Sequence, residues 1–146
     1  MRAALKREMK DKACIAAPGE TPPPYDIVVW EHGGLKPAAV PISARALVVR
    51  GEDAGRALEH CRCEMVITYG FGMRDTLTPS SMLDEGCVVS LQRGLVTLDG
   101  EAVEPREVPV GHLTGEVETR MAVAAVCLLL SEKEKIDGIA GNISFS

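Results

Sequence analysis

The sequence predicts an α/β domain: a mostly parallel sheet with a βαβ crossover, a small antiparallel β subdomain at about residues 76–110, and helices packed on both. Three observations predict it. The runs YDIVVW (25–30) and ARALVV (44–49) are short and apolar apart from Asp26 and Arg45, as expected for strands covered on both faces. A strand, a helix-length segment and another strand then follow between Ala44 and Tyr69, the spacing of a crossover between parallel neighbours. From Thr76 the pattern changes to three β-like runs, with Asp99-Gly100 as a strong hairpin turn.

A chain of 146 residues is expected to form one domain with a sizeable core. Within it, residues 1–24 read as an N-terminal helix and Pro-rich connector, and 25–75 as the parallel part. Residues 76–110 read as the antiparallel part, and 111–146 as a packing helix and tail. Aromatic residues make up only 3%, so the core must be built from Val, Leu, Ile, Ala and Met. The same scarcity removes the stacking platforms that single-stranded nucleic acids require. A net charge of -5 repels phosphate backbones, so no nucleic-acid partner is expected. The longest apolar run, Met121 to Leu130, is too short to span a bilayer, so no membrane partner is expected either. No basic stretch leading into an apolar one opens the chain, and the five cysteines are odd in number without scaffold-like spacing. Both features lead to the expectation of a cytoplasmic protein with reduced thiols.

Met1 to Lys12 is rich in helix formers, with Leu5 and Met9 on one helical face and a basic opposite surface. PGETPPP (18–24) cannot continue a helix. After the strand at 44–49, Glu52 and Asp53 precede a two-turn helix at Ala54–Cys61, where acidic residues suit the positive end of the helix dipole. Glu64–Tyr69 is the next strand, and Gly70 to Asp75 reads as a strand-to-strand turn, with an anion-binding turn countered by Arg74 as the sharper alternative. The β-like runs are Gly86–Leu91, Gly94–Leu98 and Ala102–Val110, and Pro105 and Pro109 confine the last to an edge or an irregular strand. Thr114 is a fair N-cap for a helix ending near Ser131, with Val117, Met121, Ala124, Ala125 and Leu128 as its apolar stripe. The closing GIAGNISFS carries no readable signal.

Several of these stretches, in this order, resemble the central domain of the Mur ligases, ATP-dependent amide-bond-forming enzymes. YDIVVWEHGG is similar to the strand that ends in that family's metal-binding glutamate, a position that falls on Glu31. ALVVRGEDAGRALEHC resembles the strand and helix carrying the pattern V-x-N-x-D-D, and VITYGFGMRDTLTPSSM the strand that leads into a small side sheet. TGEVETRMAVAAVCLLL resembles the helix that begins G-x-H-N-x-x-N. The resemblance covers roughly residues 25 to 135, and by itself implies Mg2+ and a nucleotide as cofactors to look for. The departures are as informative. No glycine-rich turn ending in Gly-Lys-Ser/Thr is present, so nothing cradles phosphates in that way. The segment between Glu31 and Ala44 is too short for the family's histidine and modified lysine. Arg50 stands for the strand-motif Asn, and Glu116, Val117 and Arg120 stand at the His-Asn and second Asn positions of the helix motif. The expectation is a pseudoenzyme: a Mur-ligase-like binding or interaction domain without catalytic residues, acting on an unidentified ligand.

The residues to watch are Glu31, His32, Gly33 and Gly34 at the carboxyl end of a parallel strand, together with Asp53 and Arg74. Glu31 is a candidate metal ligand and His32 a proton shuttle or second ligand, although adjacent strand residues point to opposite faces and two ligands are too few for a metal. A polar strand end followed by a turn is the commoner origin of such a pair. His60-Cys61-Arg62-Cys63 lacks a second Cys/His pair and reads as two partly buried thiols, and Cys14, Cys87 and Cys127 as core filler. Two other readings stay open: a small metal-dependent enzyme using Glu31 and His32, and one half of a split ligase whose P-loop comes from a separate chain. A protein partner or self-association is expected in either binding reading, because loss of a P-loop half leaves sheet edge uncovered.

Overall fold

A computed structural model describes residues 3–5, 25–30, 42–81, 87–110, 115–130 and 143–145, with the backbone alone for 3–5, Ile42 and 143–145. In chain order the strands are β1 (Ala3–Leu5), β2 (Tyr25–Trp30), β3 (Ile42–Arg50), β4 (Cys61–Tyr69), β5 (Leu77–Ser81), β6 (Val88–Leu91), β7 (Leu95–Val96), β8 (Ala102–Val103), β9 (Arg106–Pro109) and β10 (Ile143–Phe145). Between β3 and β4 lie a 3-10 turn at Gly51–Asp53 and helix α1 (Ala54–Leu58), and helix α2 spans Val117–Leu129. A six-stranded mixed sheet runs in the order β2-β3-β4-β5-β6-β9, and β1-β10 and β7-β8 form two separate two-stranded sheets. The chain is thus α/β, with a sheet parallel from β2 through β5 and antiparallel from β5 to β9.

The long apolar runs form strands because both sheet faces are covered. On β3, Ala46 and Val48 join Ile27, Ile67, Leu77 and Val89 in the cluster under α2, while Leu47 and Val49 join Val28, Trp30 and Ala57 on the opposite face. A two-residue side-chain period sends alternate residues to opposite layers, so a strand buried on both sides shows no polar alternation. Residues Met121 to Leu130 are buried without exception, so α2 has no single apolar stripe but is covered all round, as its unbroken apolar sequence requires.

Several sequence expectations need correction. The antiparallel strands β5, β6 and β9 are not a separate subdomain: they extend the main sheet, joined through the Tyr69–Leu77 pair, and only β7-β8 stands apart. Strand β5 carries Pro79, which a continuous ladder would exclude; β5 leaves β4 after Leu77 and shifts register beyond Pro79, so the missing N–H costs no pairing on that side. Pro109 does lie on an edge strand, β9. Helix α1 is five residues long, shorter than the two turns expected, and β4 begins at Cys61. Helix α2 starts at Val117 with Glu116 in the capping position and no side-chain cap, not at Thr114, which lies outside the described residues. Ala3–Leu5, expected to be helical, pairs antiparallel with Ile143–Phe145, because strand pairing outweighs a few tenths of a kcal/mol of helix propensity. The rest of 1–24 lies outside the described residues.

Candidate functional site

The parallel register fixes where a site can form. Arg50, the last residue of β3, pairs with Tyr69, the last of β4, so the segments leaving both strands emerge side by side at the carboxyl edge of the sheet. In open α/β sheets this edge is where ligands bind. Gly51-Glu52 from the first segment, Gly70 to Asp75 from the second and Glu118 from the first turn of α2 enclose, with Arg50, a cleft of about 550 Å³. That volume lies in the range of small-molecule sites.

Asp75 builds the wall of this cleft. Its buried carboxylate accepts a 2.9 Å hydrogen bond from the Gly72 N–H and packs against the Cα atoms of glycines from both segments. A Cβ at Gly70 would lie 2.6 Å from Asp75 Oδ2 and one at Gly72 3.1 Å from it, while one at Gly51 would overlap Oδ1. Three glycines therefore make the space that one carboxylate fills. Other bonds hold the segment in shape. The Gly70 N–H donates to Leu77 O at 3.1 Å, the Asp75 N–H to Gly72 O at 3.1 Å, and Gln92 Nε2 to Asp75 O at 2.9 Å. Thr76 N–H donates to Thr68 Oγ1 at 3.1 Å, and Thr68 N–H to Thr76 Oγ1 at 3.4 Å. Gly70 to Asp75 is thus a pinned turn between strands, displaying Phe71, Met73 and Arg74.

The two arginines of the cleft differ. Arg50 is mostly buried and lies 3.3 Å from Asp53, 3.4 Å from Glu52 and 3.9 Å from Glu118. Its charge is compensated within the protein. Arg74 is exposed and makes no hydrogen bond or ion pair among the described residues. Counting the lining, two guanidiniums face the carboxylates of Glu52, Asp75 and Glu118. A polyphosphate entering here meets excess negative charge, so the described lining does not fit the triphosphate that the family resemblance implies.

Of the residues singled out from sequence, Arg74 lines the cleft, and Asp53 lies behind it, buried and paired with Arg50 instead of capping α1. Glu31, His32, Gly33 and Gly34 lie outside the described residues. Sequence reasoning missed Arg50, Asp75 and Glu118 as cleft residues. Asp75 follows Gly70 and Gly72 closely, but its link to Gly51 depends on β3 and β4 being neighbours. Among the described residues no group of three or more His, Cys, Asp or Glu side chains is placed to hold a metal ion, and no helix is long and apolar enough to cross a membrane.

Cys61 and Cys63 lie away from the cleft, at the amino end of β4. Burial first, and then the neighbouring Cys63 sulfur, push the Cys61 thiol from its ordinary 9.0 to about 11. Burial also raises Cys63, partly offset by a hydrogen bond from Cys61. Both are therefore neutral thiols near pH 7, poor nucleophiles and poor metal ligands. Since the native state holds the Cys61 proton more tightly than an unfolded chain would, the associated stability is intact below about pH 9 and lost as pH rises through about 11. Alkylation followed by mass spectrometry at pH 8 is expected to leave Cys61 unmodified in the folded protein and to label it after denaturation; rapid labelling of native Cys61 would contradict this.

No protein-family model, curated protein or solved structure matches the chain.

Proposed function

We propose that the chain is a Mur-ligase-like α/β domain that binds a ligand through the cleft at the carboxyl ends of β3 and β4, and that it does not turn over ATP by itself. The observation that carries this reading is the cleft, walled by the pinned Gly70–Asp75 segment at the sheet edge where α/β domains take ligands. Further support comes from the sequence, which has no glycine-rich turn ending in Gly-Lys-Ser/Thr. Arg50, Glu116, Val117 and Arg120 also differ from the His and Asn side chains with which the family's motifs would contact a nucleotide.

Two measurements test it. Phosphate release from ATP with Mg2+ is expected to stay at the level of buffer; turnover on the order of 1 s⁻¹ or faster, the ordinary range of enzymes, would refute the non-catalytic reading. A thermal-shift screen across nucleotides, UDP-sugars and small organic acids and amines is expected to find a compound that raises the melting temperature, because binding to the native state alone stabilises it. That shift should shrink in Arg74→Gln. A stabilising compound whose effect ignores this substitution would place the ligand elsewhere.

A further inference from the structure

We propose that the cleft selects a small ligand with one negative charge on an apolar body, such as an aryl or alkyl monocarboxylate, over polyanions and over cations. The inference rests on the reading of this cleft as a ligand site and names the chemical class of what enters it.

The charge comes from the contrast between the two arginines. The Arg50 side chain is 18% exposed and already lies within ion-pair distance of Asp53, Glu52 and Glu118, so a ligand anion would have to compete with three carboxylates for it. Arg74 faces the same cleft without such a partner among the described residues, leaving one planar guanidinium fork for one carboxylate. A second negative group on the ligand would come up against Glu52 or Glu118, which repel it, and a ligand cation would find those carboxylates already engaged by Arg50. The cleft thus offers one positive charge and no more.

The apolar body is read from what flanks Arg74. Phe71 is 63% exposed and Met73 92% exposed, while Tyr25, Trp30 and Tyr69 are buried. Two large apolar side chains held out in water on a turn fixed by Asp75, Gln92 and the Thr68–Thr76 exchange are poor for folding and well suited to covering a ligand. An aromatic and a polarizable thioether provide contact area at little entropic cost when the backbone beneath them is already fixed. An exposed ion pair alone is worth little, so the apolar contact has to supply much of the affinity and the charge the selectivity.

The test is a titration of the full chain, labelled with 15N, with three probes: 3-phenylpropionate, 3-phenylpropylamine and inorganic tripolyphosphate. The phenylpropionate is expected to shift the amides of Gly70 to Asp75 saturably, with affinity on the order of millimolar for so small a probe. The amine should bind at least about fivefold more weakly, a difference of the size one ion pair gives, and tripolyphosphate should not saturate the same amides. Arg74→Gln and Phe71→Ala, both at exposed positions, should each weaken phenylpropionate binding several-fold while leaving the remaining amide peaks in place. Equal binding of the amine, tighter binding of tripolyphosphate, or affinity indifferent to Arg74→Gln would overturn the assignment. If these probes fail but another compound from the thermal-shift screen moves the same amides, the ligand class is wrong and the cleft reading stands; if none does, both fall.

Discussion

Replacing Gly70 by alanine is expected to destabilise the fold by about 2–5 kcal/mol, combining strain in the backbone with overpacking against a fixed neighbour. Gly70 has φ +157°, where a side chain is disfavoured, and its Cβ would lie 2.6 Å from the Asp75 carboxylate. Asp75 cannot simply swing aside: it is buried, holds the Gly72 N–H, and is packed on its other side by Gly51. Gly51→Ala should cost about 1–3 kcal/mol from overpacking alone. A double-mutant cycle separates the two causes. In an Asp75→Ala background the carboxylate is gone, so the penalty of Gly51→Ala should fall by about 1 kcal/mol or more, whereas that of Gly70→Ala should fall only in part. Gly55 is the control, an exposed position on α1 with open space where a Cβ would project, and alanine there should be neutral or stabilising by up to about 1 kcal/mol. Strict additivity of Gly51→Ala with Asp75→Ala in urea unfolding would mean that the carboxylate does not hold the two segments together.

That coupling shows why the site was less legible in the sequence than the sheet. The strands announce themselves locally: apart from Asp26 and Arg45, YDIVVW and ARALVV are apolar because each strand feeds two layers, and a run of six residues is enough to read it. The turn at Asp99-Gly100 is equally local, and Gly100 has the positive φ that such a turn uses. The cleft is different, since Gly51 and Asp75 are 24 positions apart and meet only through the β3–β4 register. Arg74 could be singled out as a charge beside glycines, but its lack of a partner, and Arg50's abundance of partners, are properties of the assembled sheet edge. Strands β6 and β9 lie within β-like runs of the sequence, but β5 does not announce itself, and the single Tyr69–Leu77 pair that joins the antiparallel strands to the parallel ones leaves no periodic trace. Pro79 inside β5 and the three-residue strands β1 and β10 are too short or too irregular for any pattern to register.

Trp30→Ala is the second large effect, expected at about 3–5 kcal/mol, the usual range for truncating a buried aromatic. Trp30 is 3% exposed at the end of β2 and stacks on His60 with ring centroids 6.2 Å apart and planes 5° from parallel. It belongs to the smaller of the two cores, with Tyr25, Val28, Leu47, Val49 and Ala57, and that layer has little else of its volume to close over the gap. Truncating Leu58, which is 48% exposed on α1, should by comparison change stability by no more than about 0.5 kcal/mol. The more informative outcome is the shape of the transition. Strand β3 places Leu47 and Val49 in the smaller core and Ala46 and Val48 in the larger one, so a loosened layer on one face removes support from the same backbone that carries the other. Far-UV circular dichroism during urea unfolding should therefore show one transition at a lower midpoint, with the slope unchanged. Trp30→Phe, which keeps most of the apolar volume, should fall between the two proteins. Two separate transitions in either variant would mean that the layers fold independently, and β3 would then not be the shared element on which the cleft at its carboxyl end depends.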